Sequence, residues 1–407
     1  MLSVRDAAAT IFNLVQPLHS LQATEDIDLF AANGRILATS VTSALDFPHW
    51  DNSAMDGYAV RYEDVQNSSV EQPVNLEIVA EVAAGYQPQF TLQPGQAARI
   101  FTGAVIPKGA DTVVMQEKTR REDNRVLILT TPQSGEFVRR KASYYQAGTE
   151  LLPAGIKLTA AEIAVLAASQ CSQVRVYRRP RVAIFSTGDE LVTVNQALQP
   201  GQIVDSNQYA LAALVQQSGA EPIFLGIVKD NPEDLAATIK HAIANADIVI
   251  SSGGVSVGDY DYVDKILDEL GATIHIRAVA MRPGKPLTVA SFPQSPIYFG
   301  LPGNPAAVLV TFWRFVQPTI RKLGGMAAGW DVEFIRVRSH DELRSDGKRE
   351  TYIWGSLHLI DGVYEFHKAK GSHISGNLIN LAQTNALAVL PVGKTLTLPG
   401  EEIEVLQ

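Results

Sequence analysis

Near residue 180 the chain changes rhythm, and that change constrains its fold more than anything else in the sequence. Short β-branched runs begin to alternate with helical patterns and glycine-rich turns. RVAIFSTG (181–188) reads as a buried strand ending in glycine, followed by a helix that Ser206 is expected to cap and Gly219 to close. EPIFLGIV then reads as a strand, and NPEDLAATIKHAIANA as a helix with Asn231 as cap and Pro232 in its first turn. DIVISSGG, TIHIRAVA and PIYFGLPGNP continue the strands, with helices YDYVDKILDELGA and AAVLVTFWRFVQPTIRKL between and after them. Alternation of this kind implies a mostly parallel sheet covered by helices on both faces.

The rest of the chain follows other rules. Between about 45 and 145, short β-prone runs separated by Pro, Gly and Asn turns predict a small all-β domain. The flanks look helical. A multidomain α/β and β protein is therefore expected: a helical stalk from 1–45 and 146–175, an inserted β domain at 46–145, an α/β body at 176–327, and a small C-terminal β-barrel at 328–407. The 407 residues suit several domains, and 46% apolar with 19% charged residues suffices to bury their cores. A net charge of -9 argues against a nucleic-acid binder, so an anionic ligand has to be held locally. The single cysteine, Cys171, forbids an intramolecular disulfide and fits a reducing compartment. The N-terminus lacks the apolar stretch of an export signal, and AAVLVTFW (306–313) stops at Arg314, too short to span a bilayer. A cytoplasmic protein with no membrane partner is expected.

In an open parallel sheet, ligands bind beyond the carboxyl ends of the strands, where loops present backbone amides and helix N-termini. Four glycine-bearing loops fall there: STGDEL (186–191), SSGGVSVGDYD (251–261), MRPGKPL (281–287) and GLPGNP (300–305). One such loop would be an ordinary connection. Four on one edge point to a site. The second has neither the spacing of a dinucleotide fingerprint nor the Gly-Lys-Ser/Thr of a P-loop, yet Gly253, Gly254 and Ser256 can wrap amides and a hydroxyl around an oxyanion. Lys285 adds a positive charge on a stiff loop. Asp189, Glu190, Asp230, Asp259 and Asp261 gather on the same edge, where each reads equally as a helix-cap acid or as a ligand of a hard cation such as Mg²⁺. The eight histidines show no metal-ligand spacing, so no transition-metal site held by protein alone is expected.

In this order, and together with DNSAMDGYAVR (51–61) and RIFTGAVIPKGADTVVMQE (99–117), these motifs closely resemble the molybdopterin molybdenumtransferases, the family of MoeA and the gephyrin E domain. The resemblance runs over almost the whole chain and is loosest in the last 80 residues. It implies an enzyme of molybdenum cofactor biosynthesis that takes adenylylated molybdopterin and molybdate and releases AMP, aided by Mg²⁺. Carried over by motif, Asp230 and Asp261 resemble the Mg²⁺ carboxylates, with Glu190 beside them and Lys285 completing the catalytic set. Thr187, Gly188, Asp189, Gly253, Gly254, Ser256, Arg282, Pro283, Gly284, Pro302, Gly303 and Asn304 resemble the pterin and molybdate pocket. From the tail, Arg349 and Ser375 resemble residues that complete it. The family's elongated homodimer implies that Asp56 and Thr102 of the β insert act in trans, and a transient contact with the molybdopterin adenylyltransferase is also implied.

Three departures accompany the resemblance. Ala142, Ser143 and Tyr144 stand where the family usually has Gly-Glu-Asp, and this rewritten patch is expected to pack in place of the lost carboxylate. Ala306 and Ala307 follow Pro305 where Val-Ser is usual, and Arg282 replaces a lysine, keeping the charge on a planar fork. Two other functions stay open: a weakened homologue acting as a dimeric scaffold, and the adenylyltransferase activity itself, which the α/β body alone resembles.

Overall fold

Strand-length apolar runs in the α/β body become one six-stranded sheet because they can be buried on both faces. The computed structural model describes residues 1–18, 23–254, 262–293, 296–371 and 377–407. Its sheet comprises β1 (Arg181–Thr187), β2 (Glu221–Val228), β3 (Ile248–Ser252), β4 (Thr273–Ala278), β5 (Pro286–Ser291) and β6 (Ile297–Leu301), in the order β2-β1-β3-β6-β5-β4. The first four in that order are mutually parallel, whereas β5 runs antiparallel to both β6 and β4. β5 was hidden in the sequence behind the RPGKP turn, although LTVAS is itself a β-prone run.

Alternate residues of each central strand feed different cores. Val182, Ile184, Ile248, Ile250 and Phe299 pack with α1 (Val4–Leu14), α2 (Asn207–Gln217) and α5 (Pro305–Thr311). Ala183, Phe185, Val249 and Tyr298 pack with α3 (Pro232–Asn245) and α4 (Tyr262–Glu269). Caps follow sequence chemistry in part. Asn231 accepts from the Asp234 N–H and Pro232 opens α3 as expected. At α2 the expected cap is wrong: the Ser206 side chain makes no capping bond, and the Asp205 carboxylate accepts from the Gln208 N–H at 3.2 Å. The long helix expected after β6 is also interrupted. Between α5 and α6 (Gln317–Leu323) it passes through a π segment at Phe312–Val316, just before Pro318, which has no N–H to give the ladder.

The tail closes on itself. β7 (Phe334–Ser339), β8 (Glu350–Ile360), β9 (Val363–Lys368), β10 (Ala386–Leu390) and β11 (Glu402–Leu406) form a five-stranded barrel in the order β8-β9-β7-β11-β10, with β10 pairing back to β8. Val337, Ile353, Phe366, Ala388 and Val405 fill its interior. Tyr352, Trp354, Leu387 and Val389 point the other way and pack into the core of the α/β body. The barrel is thereby held against one end of the sheet.

These elements belong to one compact unit, made of Met1–Thr39, Ala154–Ala164 and Cys171–Gln407; Ser40–Pro153 with Val165–Gln170 form the other. Among the described residues, the flanks expected to be a helical stalk are α-helical only at Val4–Leu14 and Ala160–Ala168, with one 3-10 turn at Leu29–Ala31. Thr24–Asp28 and Gln173–Tyr177 instead pair as antiparallel strands, with Arg175 bridging to Asp26 across the pair at 2.6 Å. In QVRVY polar residues alternate with Val, a period-2 pattern that a helical reading overlooks, whereas TEDID, with one apolar residue in five, carries no such signal. The second unit contains a six-stranded sheet ordered Thr112–Met115, Gly57–Val60, Gln96–Ile100, Val74–Val82, Arg125–Ile128 and Thr119–Glu122, with apolar clusters on both faces. No helix among the described residues is long and apolar enough to cross a membrane.

Candidate active site

At the carboxyl edge of the sheet, the loops line a cleft of about 1560 Å³. Thr187 ends β1, and its hydroxyl donates to the carboxylate of Asp230, which follows β2. Asp230 in turn donates its N–H to Asp189 at 3.4 Å. Gly253 and Gly254 follow β3. Gly253 has φ +93°, and a Cβ there would lie 2.3 Å from the Thr187 carbonyl oxygen, so only glycine lets these two strand ends approach. Pro302, Gly303 and Asn304 follow β6; Asn304 caps α5 by accepting from the Ala307 N–H at 3.3 Å.

The loop from β4 to β5 supplies the opposite charge. Arg282 and Lys285 flank a cis-proline, Pro283, and Gly284. Arg282 pairs with Asp346 at 3.2 Å. Among the described residues no carboxylate pairs with Lys285. Glu190 and Asp230 thus sit after β1 and β2, while Arg282 and Lys285 sit before β5. From β2 to β5 is four strand spacings, roughly 19 Å at about 4.8 Å each. A ladder of glycine-rich amide loops separates an acidic end from a basic one.

The barrel forms the facing wall. Arg349 donates to the Met281 carbonyl at 3.3 Å, and Asp346 accepts from the Lys348 N–H at 2.9 Å. That N–H, with Arg282 and Arg349 nearby, holds the Asp346 carboxyl below its ordinary range. Tyr352 is buried, and burial first, then Glu350, pushes its phenol well above its ordinary value. Glu342, Arg344, Thr351, Trp354 and Lys368 complete this wall.

Three family profiles match the chain: the MoeA N-terminal region (domains I and II) over residues 2–169, a probable molybdopterin-binding domain over 183–322, and the MoeA C-terminal region (domain IV) over 336–407. A molybdopterin molybdenumtransferase of Nostoc sp. is 78% identical, the match covering all of this chain and 94% of that protein. Its namesake in Bacillus subtilis is 39% identical, covering 94% and 89%. The chain belongs to the molybdopterin molybdenumtransferase family. A crystal structure of the molybdopterin biosynthesis MoeA protein of Pyrococcus horikoshii agrees with a TM-score of 0.81 at 30% identity, covering 100% of this chain and 98% of that one. The chain is accordingly an enzyme of molybdenum cofactor biosynthesis.

Most of the residues expected to form the transferase site meet in the cleft: Thr187, Gly188, Glu190, Asp230, Gly253, Gly254, Arg282, Pro283, Gly284, Lys285, Pro302, Gly303, Asn304 and Arg349. Asp189 is not in its lining and serves Asp230 from behind. Ser256, Asp261 and Ser375 lie outside the described residues. In the second unit, Asp56 accepts from both the N–H and the hydroxyl of Thr102 at 2.7 Å, and these bonds hold its carboxyl below the ordinary range. The rewritten patch is not packed through Tyr144, which is 70% exposed. Tyr145 does the packing, with its hydroxyl accepting from the Ser43 N–H at 2.9 Å. Sequence reasoning missed Asn207, which donates to Ser252 Oγ at 2.7 Å and to the Gly303 carbonyl at 2.9 Å, tying α2 to two rim loops. Its position just inside a helix start at the rim was the available signal. It also missed Asp346 and Lys368, for which no local motif existed.

Proposed function

We propose that the enzyme transfers molybdenum from molybdate into adenylylated molybdopterin, releases AMP, and uses Mg²⁺ to do so. The separation of charge along the rim carries this reading. Carboxylate oxygens alone suit a hard divalent cation, so Asp230 would hold Mg²⁺ together with Asp261, as the resemblance implies, with Glu190 an acidic neighbour. When bound, Mg²⁺ neutralises phosphoanhydride oxygens and favours AMP as a leaving group. Thr187 fixes the Asp230 carboxylate by its hydrogen bond. The amides at Gly253 and Gly254, with the loop at Gly303 and Asn304, bind and orient phosphate oxygens between the two ends. Lys285 and Arg282 attract molybdate beside the dithiolene, with Arg349 closing the site from the barrel.

Assembly and setting follow the resemblance. A homodimer would bring Asp56 and Thr102 of one subunit to the cleft of the other, in the cytoplasm, with substrate arriving by transient contact with the adenylyltransferase. Purified protein given adenylylated molybdopterin, molybdate and Mg²⁺ is expected to yield AMP and molybdenum cofactor together. AMP release without cofactor, or adenylylation of molybdopterin from ATP, would overturn this reading.

A further inference from the structure

Strand pairing in the barrel gathers histidines that sequence spacing kept apart. His358 on β8 pairs with Glu365 on β9, so His358 and His367 share one face of the ladder. His340, just past β7, donates its N–H to the Phe366 carbonyl at 2.9 Å, which brings it beside His367. The rings of His340 and His367 stack at 4.1 Å, and His358 meets His367 edge-on at 4.5 Å. Two carboxylates join them: Asp341 Oδ1 lies 3.5 Å from His340 Nδ1, and Glu365 Oε2 lies 3.7 Å from His367 Nε2. His367 Nε2 is itself buried and makes no hydrogen bond.

We propose that His340, Asp341 and His367 form a zinc site. One ligand atom from each lies within 4.8 Å of the others. Ligands on a tetrahedral ion at about 2.0 Å stand about 3.3 Å apart, so closing the site takes side-chain shifts of about 1 Å. His340 is 54% exposed and free to rotate out of the stack, which aims its nitrogen at the ion. Two imidazoles and a carboxylate suit Zn²⁺ better than the oxygen-seeking Mg²⁺, and the absence of thiolate in the set disfavours Cu(I). Three protein ligands leave a fourth position for water; His358 is held instead by Ser356 at 2.9 Å.

The ion would act on the cleft from behind. Asp341 Oδ2 accepts from the Lys368 N–H at 2.9 Å, and Lys368 and Glu342, each next to a ligand, line the cleft wall. A metal here ties the end of β7 to β9 and sets those two side chains, without touching substrate.

The test is titration of EDTA-dialysed full-length protein with Zn²⁺, under saturating Mg²⁺ so that the rim carboxylates are occupied. One equivalent is expected to bind. His340→Gln and His367→Ala should each weaken that binding by at least about tenfold. Co²⁺ in place of zinc should give the visible bands of a tetrahedral ion in the wild type and not in His340→Gln. Because His340 is exposed, that variant should melt like the wild type without metal. Wild-type protein that binds no equivalent, or His340→Gln binding as tightly as wild type, would overturn the site.

Discussion

Along the rim of the sheet, most of the cleft comes from short motifs at strand ends: Thr187 and Gly188 with Glu190, Gly253 with Gly254, Arg282 to Lys285 and Pro302 to Asn304, with Asp230 alone after β2. Across the cleft, the barrel gives Glu342, the run Arg344 to Asp346, Arg349, the run Thr351 to Trp354 of β8, and Lys368. The rim loops are each the end of one strand, so geometry demands several special residues in a row: glycine for close approach, proline for a fixed turn, and acid or base for the ligand. The barrel wall instead joins turn residues to a stretch of β8, with no glycine or proline among them. Rim changes should therefore damage chemistry at the charged positions and fold at the glycines, whereas wall changes should tune binding.

Asp230→Asn should show the largest effect, lowering turnover about 100-fold at limiting Mg²⁺ while the protein stays folded, because an amide cannot replace the charge a hard cation needs. Cofactor formation followed across a Mg²⁺ series measures it, and wild-type rates at limiting Mg²⁺ would take Asp230 out of the metal set. Gly253→Ala should cost at least about 2 kcal/mol of stability, since it combines a left-handed backbone with overlap on the Thr187 carbonyl. Chemical denaturation reads it directly; an unchanged midpoint would mean that the strand ends can part freely. On the wall, Arg349→Ala should raise the half-saturating substrate concentration about fivefold with turnover little changed, about 1 kcal/mol for one solvent-screened contact. A collapse of turnover there would erase the contrast between rim and wall.

How much of this was legible in the sequence follows the same division. The α/β body was readable because its strands are apolar runs bounded by glycine, and its site because each rim motif is local. β5 escaped notice, since its run is short and begins inside a proline-rich turn. The flanking strand Thr24–Asp28 reads as helix in the sequence because it has one apolar residue in five and so no period of two. The histidine cluster had no sequence signal at all, since His340, His358 and His367 meet only through the pairing of three strands.

Ala142 shows a local rule broken in the second unit. Its φ is +63°, the left-handed region in which glycine, usual at this position in the family, costs nothing. Ala142→Gly should therefore stabilise the protein, by about 1 kcal/mol at most. A lower melting temperature would show that the alanine methyl makes contacts that outweigh its backbone strain.

The division of labour along the rim is tested most directly by measuring half-saturation for molybdate and for Mg²⁺ in Lys285→Ala and Asp230→Asn side by side. Lys285→Ala should raise the molybdate requirement at least about tenfold, the loss of one charge-assisted contact, and leave the Mg²⁺ requirement within about twofold. Asp230→Asn should do the reverse. Parallel shifts of both requirements in both variants would contradict an acidic cation end and a basic oxyanion end.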